Sequence, residues 1–430
     1  MTIVIITYIL FSYLIVYFFH KKLLHPIPIT LIYWLTIIFI SEMNHFIFKI
    51  KIYHAAIIPV IVFLLSFLIG GMLYYYKNKS IKPQFNFSTS NRETQYLNNL
   101  LFVIILFSIL GLLSLYIQLK YLNIKITSFN DIYKIANKIA ILRYSNQTEL
   151  PGAGKLLQAF LYAGSYFGGY TFYISKKLKH KLLTFLPLTT ITLISIINSV
   201  KLPFIVSIFF WLSSFISTYI FYKQGKVCIK IKYLFTIIIC SIFFITTFIT
   251  IHKFRSGDSN TKYNYESLLI SYYSSYNVFS LWWKNYDFSH KITPGKYTFS
   301  GIHNLIFKDR QPGLFTEFII LKENPIVKSN VYTIFRAFIE DYSFFGTIII
   351  FFFCGYLFTA SYEKLLNGYF LAHISNSFFL TNLFWSIVTF VSTYNTIILS
   401  WLLVIIFFFI LNIQIHKKDK HKIKLILKIN

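Results

Sequence analysis

Apolar residues in this chain form long continuous runs and do not alternate with polar ones. A run of about 20 apolar residues is long enough for a helix to cross a bilayer, and backbone groups in lipid must be satisfied within the helix. The pattern therefore predicts an all-α, polytopic integral membrane bundle and argues against a β-barrel, in which apolar and polar positions alternate. Eleven runs fit, at about 2–19, 27–43, 55–76, 99–117, 156–175, 182–200, 204–222, 233–251, 343–362, 368–390 and 394–414.

Two long polar segments divide these runs into bundles of four, four and three spans. The first run has no basic segment before it and no small-residue cleavage site after it, so we expect a retained span and not a removed signal peptide. The predicted units are an N-terminal bundle, a first loop, a central bundle, a second loop, a C-terminal bundle and a basic tail, at 1–117, 118–155, 156–251, 252–342, 343–414 and 415–430.

Basic residues are unevenly distributed between the two sides of this bundle. The short connections and the tail on one side hold 21 of them, whereas the short connections on the other side hold Lys49, Lys51 and Lys201. The positive-inside rule then predicts a cytoplasmic C-terminus and, with an odd number of spans, a periplasmic N-terminus. Both enlarged loops fall on the periplasmic side and carry 10 of the 14 acidic residues. We therefore expect the chemistry of this protein at its outer face.

Composition narrows the class of function. The chain is 56% apolar and 13% charged, with a net charge of +27, and a soluble enzyme would need more polar surface. In a membrane protein the basic excess indicates cytoplasmic anchoring and anionic headgroups, so no nucleic-acid partner is expected. The three cysteines have neither metal nor disulfide spacing. No nucleotide-binding or HExxH motif occurs, and we predict neither a metal nor a cofactor.

Arginine gives the sharpest chemical signal. Only five arginines occur, and four of them lie in the predicted outer loops: Arg143, Arg255, Arg310 and Arg336. Because the planar guanidinium binds phosphate oxygens in a bidentate manner, a pyrophosphate at the outer membrane surface is a natural ligand. Salt bridges with nearby acids are the alternative. The many Tyr and Trp residues of the second loop would either stack on sugar rings or form an interfacial aromatic belt.

The end of the second loop combines these signals. Read as a helix, 329–341 places Tyr332, Arg336 and Glu340 on one face. Asp341 then lies at the water–lipid boundary, where a charge is costly unless it is paired or functional. A structural pair between Arg336 and an acid is the alternative interpretation.

Two other features give weaker signals. Glu42 ends the second run beside Asn44 and His45, and a carboxylate in a span is a functional candidate. The external histidines, among them His303, have no metal spacing, and each is more simply read as solvated.

Three short motifs and the overall layout resemble a known family. Arg143 is followed after ten residues by Gly154, Arg255-Ser-Gly opens the second loop, and Asn330-Val-Tyr-Thr-x-Phe-Arg precedes Asp341 by a few positions. With two enlarged periplasmic loops between many spans, these features resemble bacterial O-antigen polymerases, the oligosaccharide repeat-unit polymerase (Wzy) family. The sequence departs from that family in two respects: the second loop has no Arg-x10-Gly, and a usual Asp-Phe-Gly-like step reads Asp341-Tyr-Ser.

The resemblance implies a GT-C-like membrane glycosyltransferase at the periplasmic face of the inner membrane. It would transfer a growing glycan from undecaprenyl pyrophosphate to the non-reducing end of a lipid-linked repeat unit. Its partners would be those lipid-linked oligosaccharides, the bilayer, and a chain-length regulator and flippase of the same pathway. The expected catalytic residues are Arg255, Arg336, Asp341 and Glu340. The expected substrate-binding residues are Arg143, Gly154, Arg310, Asn330, Tyr332, Asp258 and His303.

Two other functions compete with this one. An O-antigen ligase shares the bundle, the large loop and the arginines, but transfers the glycan to lipid A core. A lipid-linked oligosaccharide flippase is a transporter, which needs a charged central cavity. Glu42 is the one acid within the predicted spans, and this disfavours the transporter.

Overall fold

A computed structural model describes most of the chain and gives it a helical architecture. The helices are α1 (Pro26–Phe48), α2 (Ile57–Lys77), α3 (Arg92–Tyr121), α4 (Asp131–Tyr144), α5 (Gly152–Ile174), α6 (Leu178–Leu183), α7 (Leu186–Ile197), α8 (Leu202–Lys223), α9 (Ser275–Lys284), α10 (Ser300–Phe307), α11 (Ile334–Leu366), α12 (Phe370–Trp385) and α13 (Asn395–Lys417). A two-stranded antiparallel hairpin, β1 (Ile319–Lys322) and β2 (Val327–Ser329), precedes α11. The described residues are 13, 22–77, 92–124, 131–144, 152–225, 246–251, 253, 274–289, 291–307, 315–323 and 326–417, with backbone alone at 92–94, 143, 144, 370 and 412–417.

The chain is a membrane-embedded, multi-pass helical protein. Within the described ranges, six helices are long and apolar enough to cross a membrane: Pro26–Phe48, His54–Lys77, Gln95–Tyr121, Leu178–Ile197, Leu202–Lys223 and Ile334–Leu366. Each matches one of the eleven predicted runs. Three further runs coincide with α5, α12 and α13. Most of 2–19 and of 233–251 lies outside the described residues, so the count of eleven spans stays a prediction.

The predicted run 182–200 is interrupted, which the apolar pattern did not reveal. It consists of α6 and α7, with Pro187 near the start of α7. Proline is well placed in the first turn of a helix, but its ring and its missing N–H prevent it from continuing an earlier one.

The second loop also ends earlier than its predicted boundary at 342. Helix α11 already begins at Ile334, and every residue from Ile334 to Asp341 is buried. Charged Arg336, Glu340 and Asp341 lower the hydropathy of this segment, which is why the sequence pattern assigned it to the loop. Its charges are paired and hydrogen-bonded inside the protein, so it packs as part of the bundle.

A backbone kink separates this buried segment from the rest of α11. Ser343 has φ 64° and ψ 173°, a conformation that glycine adopts readily and that strains other residues. Locally, the Ser343 hydroxyl accepts a hydrogen bond from the Gly346 N–H (3.3 Å), and the Ser343 carbonyl accepts one from the Thr347 hydroxyl (2.7 Å). The chain thus changes direction immediately after Asp341.

Helices α2 and α11 touch through their backbones. A Cβ atom on Gly70 would lie 1.9 Å from the Phe352 carbonyl oxygen, and one on Gly355 would lie 1.9 Å from the Phe67 carbonyl oxygen. Small residues allow this close approach, which is a common way for helices to associate in lipid. The pairing fixes the part of α11 that follows the Ser343 kink against α2.

Helices α8 and α12 associate differently, through hydroxyl and amide side chains. The Ser213 and Thr381 hydroxyls are 2.7 Å apart, and the Ser217 hydroxyl accepts from the Asn376 amide (2.8 Å). Hydrogen bonds of this kind between membrane helices are worth about 0.6 kcal/mol on average. The bundle therefore combines a tight backbone contact with a polar seam.

Some connections between helices meet the second loop on one face of the bundle, here called the loop face. The connection 49–53 reaches the hairpin, because the Lys51 N–H donates to the Leu321 carbonyl (2.8 Å). The connection after α12 reaches it as well, because the Thr393 hydroxyl donates to the Tyr297 carbonyl (3.1 Å). Connections that the charge pattern assigned to the same side therefore meet in space.

On the opposite face, residues before α1 meet the end of α11. Lys22 lies 3.8 Å from Glu363, and the His25 ring packs edge-on against Tyr75 and Tyr362. The charge pattern predicts that this face is cytoplasmic.

Candidate functional site

Arg336 lies in an aromatic cage at the loop face. Its guanidinium carbon is 4.0 Å from the centre of the Tyr332 ring, 4.1 Å from that of Phe315 and 5.1 Å from that of Trp282. These rings come from the segment before α11, the segment before β1, and α9. Cation–π contacts stabilise a desolvated guanidinium by about 2 kcal/mol at such sites. The cage therefore holds a buried charge, since Arg336 is 3% exposed.

Two carboxylates pair with this guanidinium, one of them buried and the other exposed to solvent. Arg336 Nε donates to Glu340 Oε1 at 3.3 Å, one turn further along α11. Arg336 Nη2 donates to Glu317 Oε2 at 3.0 Å. The Glu340 side chain is 8% exposed, whereas the Glu317 side chain is 68% exposed. The Glu317 contact is therefore the one that solvent or an anion can displace.

The third nitrogen of the guanidinium has no partner among the described residues. Arg336 Nη1 is buried and donates no hydrogen bond to any described polar atom. A buried charged donor without a partner is costly. An anion that replaced Glu317 could bind both Nη1 and Nη2, the geometry in which a guanidinium holds phosphate oxygens.

The charged groups of this cage shift the pKa of two neighbouring tyrosines. Burial raises the pKa of Tyr332, while the neighbouring Arg336 lowers it. Burial and the Glu340 carboxylate raise the pKa of Tyr297, whose ring stacks on Phe315 with centres 4.9 Å apart. Both phenols therefore act as neutral hydrogen-bonding groups at neutral pH.

Asp341 is held by the 293–298 segment, in the paired state that the sequence left open beside a functional one. Its carboxylate accepts hydrogen bonds from the Thr293 hydroxyl (3.2 Å), the Tyr297 N–H (3.1 Å) and both the N–H and the hydroxyl of Thr298 (2.7 Å each). Asp341 is fully buried. It fastens the 293–298 segment to α11 and has its accepting positions filled.

The predicted helical spacing at Arg336 holds only in part. Helix α11 starts after Tyr332, with Thr333 at its N-cap, so Tyr332 is not one turn before Arg336 on the same helix. It nevertheless reaches Arg336 from an extended segment, and its hydroxyl donates to the Glu317 carbonyl (3.2 Å). Asn330 fixes the same segment, since its amide donates to the Phe315 carbonyl (3.0 Å).

The other predicted site residues do not join this cage in the described part of the chain. Gly154 lies in the first turn of α5, where its carbonyl accepts from the Ser114 hydroxyl (2.9 Å), a packing contact. His303 lies on α10 with its ring 4.5 Å from that of Phe307. Arg143 is the penultimate residue of α4, and its side chain is not described. Outside the described residues lie Arg255, Asp258 and Arg310.

Sequence inspection missed the residues that complete the Arg336 site. Glu317, Phe315 and Trp282 are separated from Arg336 by 19 to 54 positions, and only Glu317 carries a charge that could have suggested a partner. Within the described ranges, no group of three or more His, Cys, Asp and Glu side chains is arranged to hold a metal ion.

Comparison with known proteins does not identify a relative. No protein-family model, no curated protein and no solved structure matches this chain.

Proposed function

We propose that this protein is an O-antigen repeat-unit polymerase, a membrane-embedded glycosyltransferase. It transfers a growing glycan from undecaprenyl pyrophosphate to the non-reducing end of a lipid-linked repeat unit. In this proposal the loop face is periplasmic, and the protein lies in the bacterial inner membrane with its N-terminus periplasmic and its C-terminus cytoplasmic. A chain-length regulator and a flippase of the same pathway would be its partners.

The observation that carries the proposal is the buried guanidinium of Arg336 at the loop face. It belongs to the segment that resembles the family signature, and it combines one fixed partner, Glu340, with one exposed partner, Glu317. Its third nitrogen has no partner among the described residues. A charge so placed suits a ligand that arrives with two negatively charged oxygens, as a pyrophosphate does.

In the proposed reaction the acceptor hydroxyl oxygen attacks the anomeric carbon of the growing glycan. The bond from that carbon to the pyrophosphate oxygen breaks, and undecaprenyl pyrophosphate leaves with the electron pair. Arg336, with Arg255 as its predicted companion, stabilises the charge that develops on the leaving oxygen. Loss of one such electrostatic contact costs about 2.7–4 kcal/mol of barrier.

The acids around Arg336 take different roles in this proposal. Glu340 holds the guanidinium in position, and Glu317 yields its place to the pyrophosphate. Asp341 maintains the 293–298 segment and does not activate the acceptor, because its oxygens already accept four or more hydrogen bonds. The group that receives the acceptor proton is therefore sought elsewhere.

The test is the surface polysaccharide of a strain that lacks this gene. We expect lipid A core capped with one repeat unit, without a ladder of longer chains, and restoration of the ladder by the wild-type gene. Arg336→Ala should fail to restore the ladder although it reaches the membrane at normal levels. A matched control is Lys296→Ala, which removes a nearby cation outside the cage and should restore the ladder.

Two outcomes would contradict the proposal in different ways. Bare core with full-length polymer left on undecaprenyl pyrophosphate would identify a ligase. Bare core with repeat units accumulating on the cytoplasmic side would identify a transporter, and the role given to Arg336 would fall with it.

A further inference from the structure

A second charged site lies where α1 meets α2. Glu42 Oε1 is 3.1 Å from His54 Nδ1. Glu42 belongs to the last two turns of α1, and His54 opens the 3₁₀ turn His54–Ala56 that leads into α2. The two residues face each other across the connection 49–53, which joins the loop face through Lys51 and Leu321.

The two members of this pair have contrasting exposure. The Glu42 side chain is 10% exposed, whereas the His54 side chain is 45% exposed. The carboxylate therefore lies inside the protein and the imidazole extends from it towards the surface. Because Nδ1 is turned to the carboxylate, Nε2 is the ring nitrogen left for another molecule.

The surroundings of Glu42 contain further unsatisfied polar groups. Glu42 Oε2 and the hydroxyl of the fully buried Tyr276 have no hydrogen-bonding partner among the described residues. Burial and the Glu42 carboxylate raise the pKa of Tyr276, so the two groups are electrostatic neighbours. Buried polar groups are normally paired, so Glu42 Oε2 and the Tyr276 hydroxyl are open to a further polar group where α1 meets α9.

The residues next to His54 make contacts of their own. His45 stands edge-on to His54 with ring centres 5.7 Å apart, but its Nδ1 lies 2.6 Å from the Ile50 carbonyl. The Tyr53 N–H donates a hydrogen bond to the Ser280 hydroxyl (3.0 Å). The titratable side chains against the His54 ring are thus Glu42 and His45, with Tyr276 behind Glu42.

We infer that His54, oriented by the buried Glu42, is an acid–base residue that receives the proton of the acceptor hydroxyl. A carboxylate on Nδ1 fixes the tautomer in which Nε2 carries the lone pair, as it does in the Ser-His-Asp triad. The inference rests on the proposed function. It assigns to His54 the role of proton acceptor, which Asp341 does not take because its oxygens already accept hydrogen bonds.

The proton balance of this step is simple. The acceptor oxygen forms its bond to the anomeric carbon, while its proton passes to His54 Nε2. The electron pair of the broken carbon–oxygen bond leaves with the lipid pyrophosphate. The imidazolium that forms is stabilised by the Glu42 carboxylate and later returns its proton to solvent, through the exposed part of the ring.

The test uses the full-length protein in detergent with lipid-linked repeat units extracted from the deletion strain. We expect His54→Gln to lower the initial rate of polymer formation by about 100-fold, within the range for general acid–base catalysis. Glu42→Gln should lower it at least about 10-fold, since the amide no longer fixes the tautomer. His45→Gln is the matched control and should stay within about twofold of the wild type, because it changes a neighbouring ring that makes no contact with the carboxylate.

A pH profile separates an acid–base role from a structural one. The wild-type rate should fall towards acidic pH, because a protonated imidazole has no lone pair for the acceptor proton. The residual rate of His54→Gln should not show this fall, and its unfolding temperature in detergent should stay close to that of the wild type. A full rate in His54→Gln, or an unchanged acidic limb, would overturn the assignment of His54 alone. A deletion strain that keeps its ladder would overturn the proposed function and this inference together.

Discussion

Arg336 and Asp341 lie five residues apart on the same buried segment of α11, and the protein compensates their charges to different extents. The Asp341 carboxylate is surrounded by donors from 293–298. In the described part of the chain, one nitrogen of the Arg336 guanidinium has no partner, and another donates to the exposed Glu317. Burial alone therefore does not distinguish a structural charge from a functional one. We propose that the number of positions left open for a ligand does.

This difference gives a criterion for reading charges near a membrane surface. A buried ion must be compensated, and complete compensation by the protein's own backbone leaves it no capacity to bind anything else. The substitutions below test the criterion, beginning with the largest expected effect.

Asp341→Ala should cause the largest loss of stability. It leaves the N–H groups of Tyr297 and Thr298 without their acceptor, and each unsatisfied buried donor costs about 1–3 kcal/mol. We expect a loss of about 3 kcal/mol or more in the free energy of unfolding, measured by thermal unfolding in detergent. Proteolysis should become faster within 293–307. Asp287→Ala, at an exposed loop position, serves as the control, and a loss no larger than that control's would contradict the structural role of Asp341.

Arg336→Lys should reduce activity more than it reduces stability. Lysine keeps the charge but lacks the planar fork, so we expect polymer formation to fall about 100-fold, equivalent to about 2.7 kcal/mol. The rate is measured with extracted lipid-linked repeat units, and the amount of folded protein by size-exclusion chromatography. If Arg336→Lys unfolded like Asp341→Ala while retaining its rate per folded molecule, the two charges would not differ as we suppose.

Ser343→Gly should stabilise the segment that carries both charges. A non-glycine residue in this backbone conformation costs about 1–3 kcal/mol, and the added freedom of glycine in the unfolded chain offsets roughly 0.5–1 kcal/mol of the gain. We expect a net gain of about 1 kcal/mol in thermal unfolding experiments. The matched control, Ser361→Gly within the regular part of α11, should destabilise. A loss of stability in Ser343→Gly would mean that the kink is held by the serine hydroxyl and not strained.

Glu317→Gln should have the smallest effect on stability. Its side chain is mostly exposed, and exposed ion pairs contribute about 0–1 kcal/mol. We expect a change in unfolding free energy of about 0.5 kcal/mol or less and an apparent KM for the lipid-linked donor that is unchanged or lower. Glu340→Gln, which removes the buried partner, should cost more in the same assay. Equal losses for the two variants would contradict the view that Glu317 is the displaceable partner.

The sequence predicted the helices better than it predicted the site. Continuous apolar runs such as 27–43 and 204–222 coincide with α1 and α8 because lipid requires one long internally bonded helix. The start of α11 was missed because charged residues there hide a buried segment whose partners come from elsewhere in the chain. Arg336 was chosen as a candidate from its residue type and motif, and its role stays a prediction.

The companions of the site residues could not be found in the same way. Phe315, Glu317 and Trp282 reach Arg336 only after the second loop folds back on the bundle, and no local pattern encodes that approach. Likewise, His54 lies 12 positions from Glu42, beyond the spacing at which neighbours on one helix meet. Hydrophobic periodicity shows which face of a helix is buried, but not which distant loop packs on that face.

The interlocked glycines of α2 and α11 have a consequence for how such a protein can move. The Phe352 carbonyl packs on Gly70 of α2, and the Phe67 carbonyl packs on Gly355 of α11. Helices that interlock in this way cannot slide or rotate past one another without a collision, so they move as one rigid pair. His54 lies just before α2, and the Ser343 kink separates Arg336 from the part of α11 that pairs with α2. Under the proposed function, the opening that admits a long glycan would therefore come from the parts that surround this pair of helices.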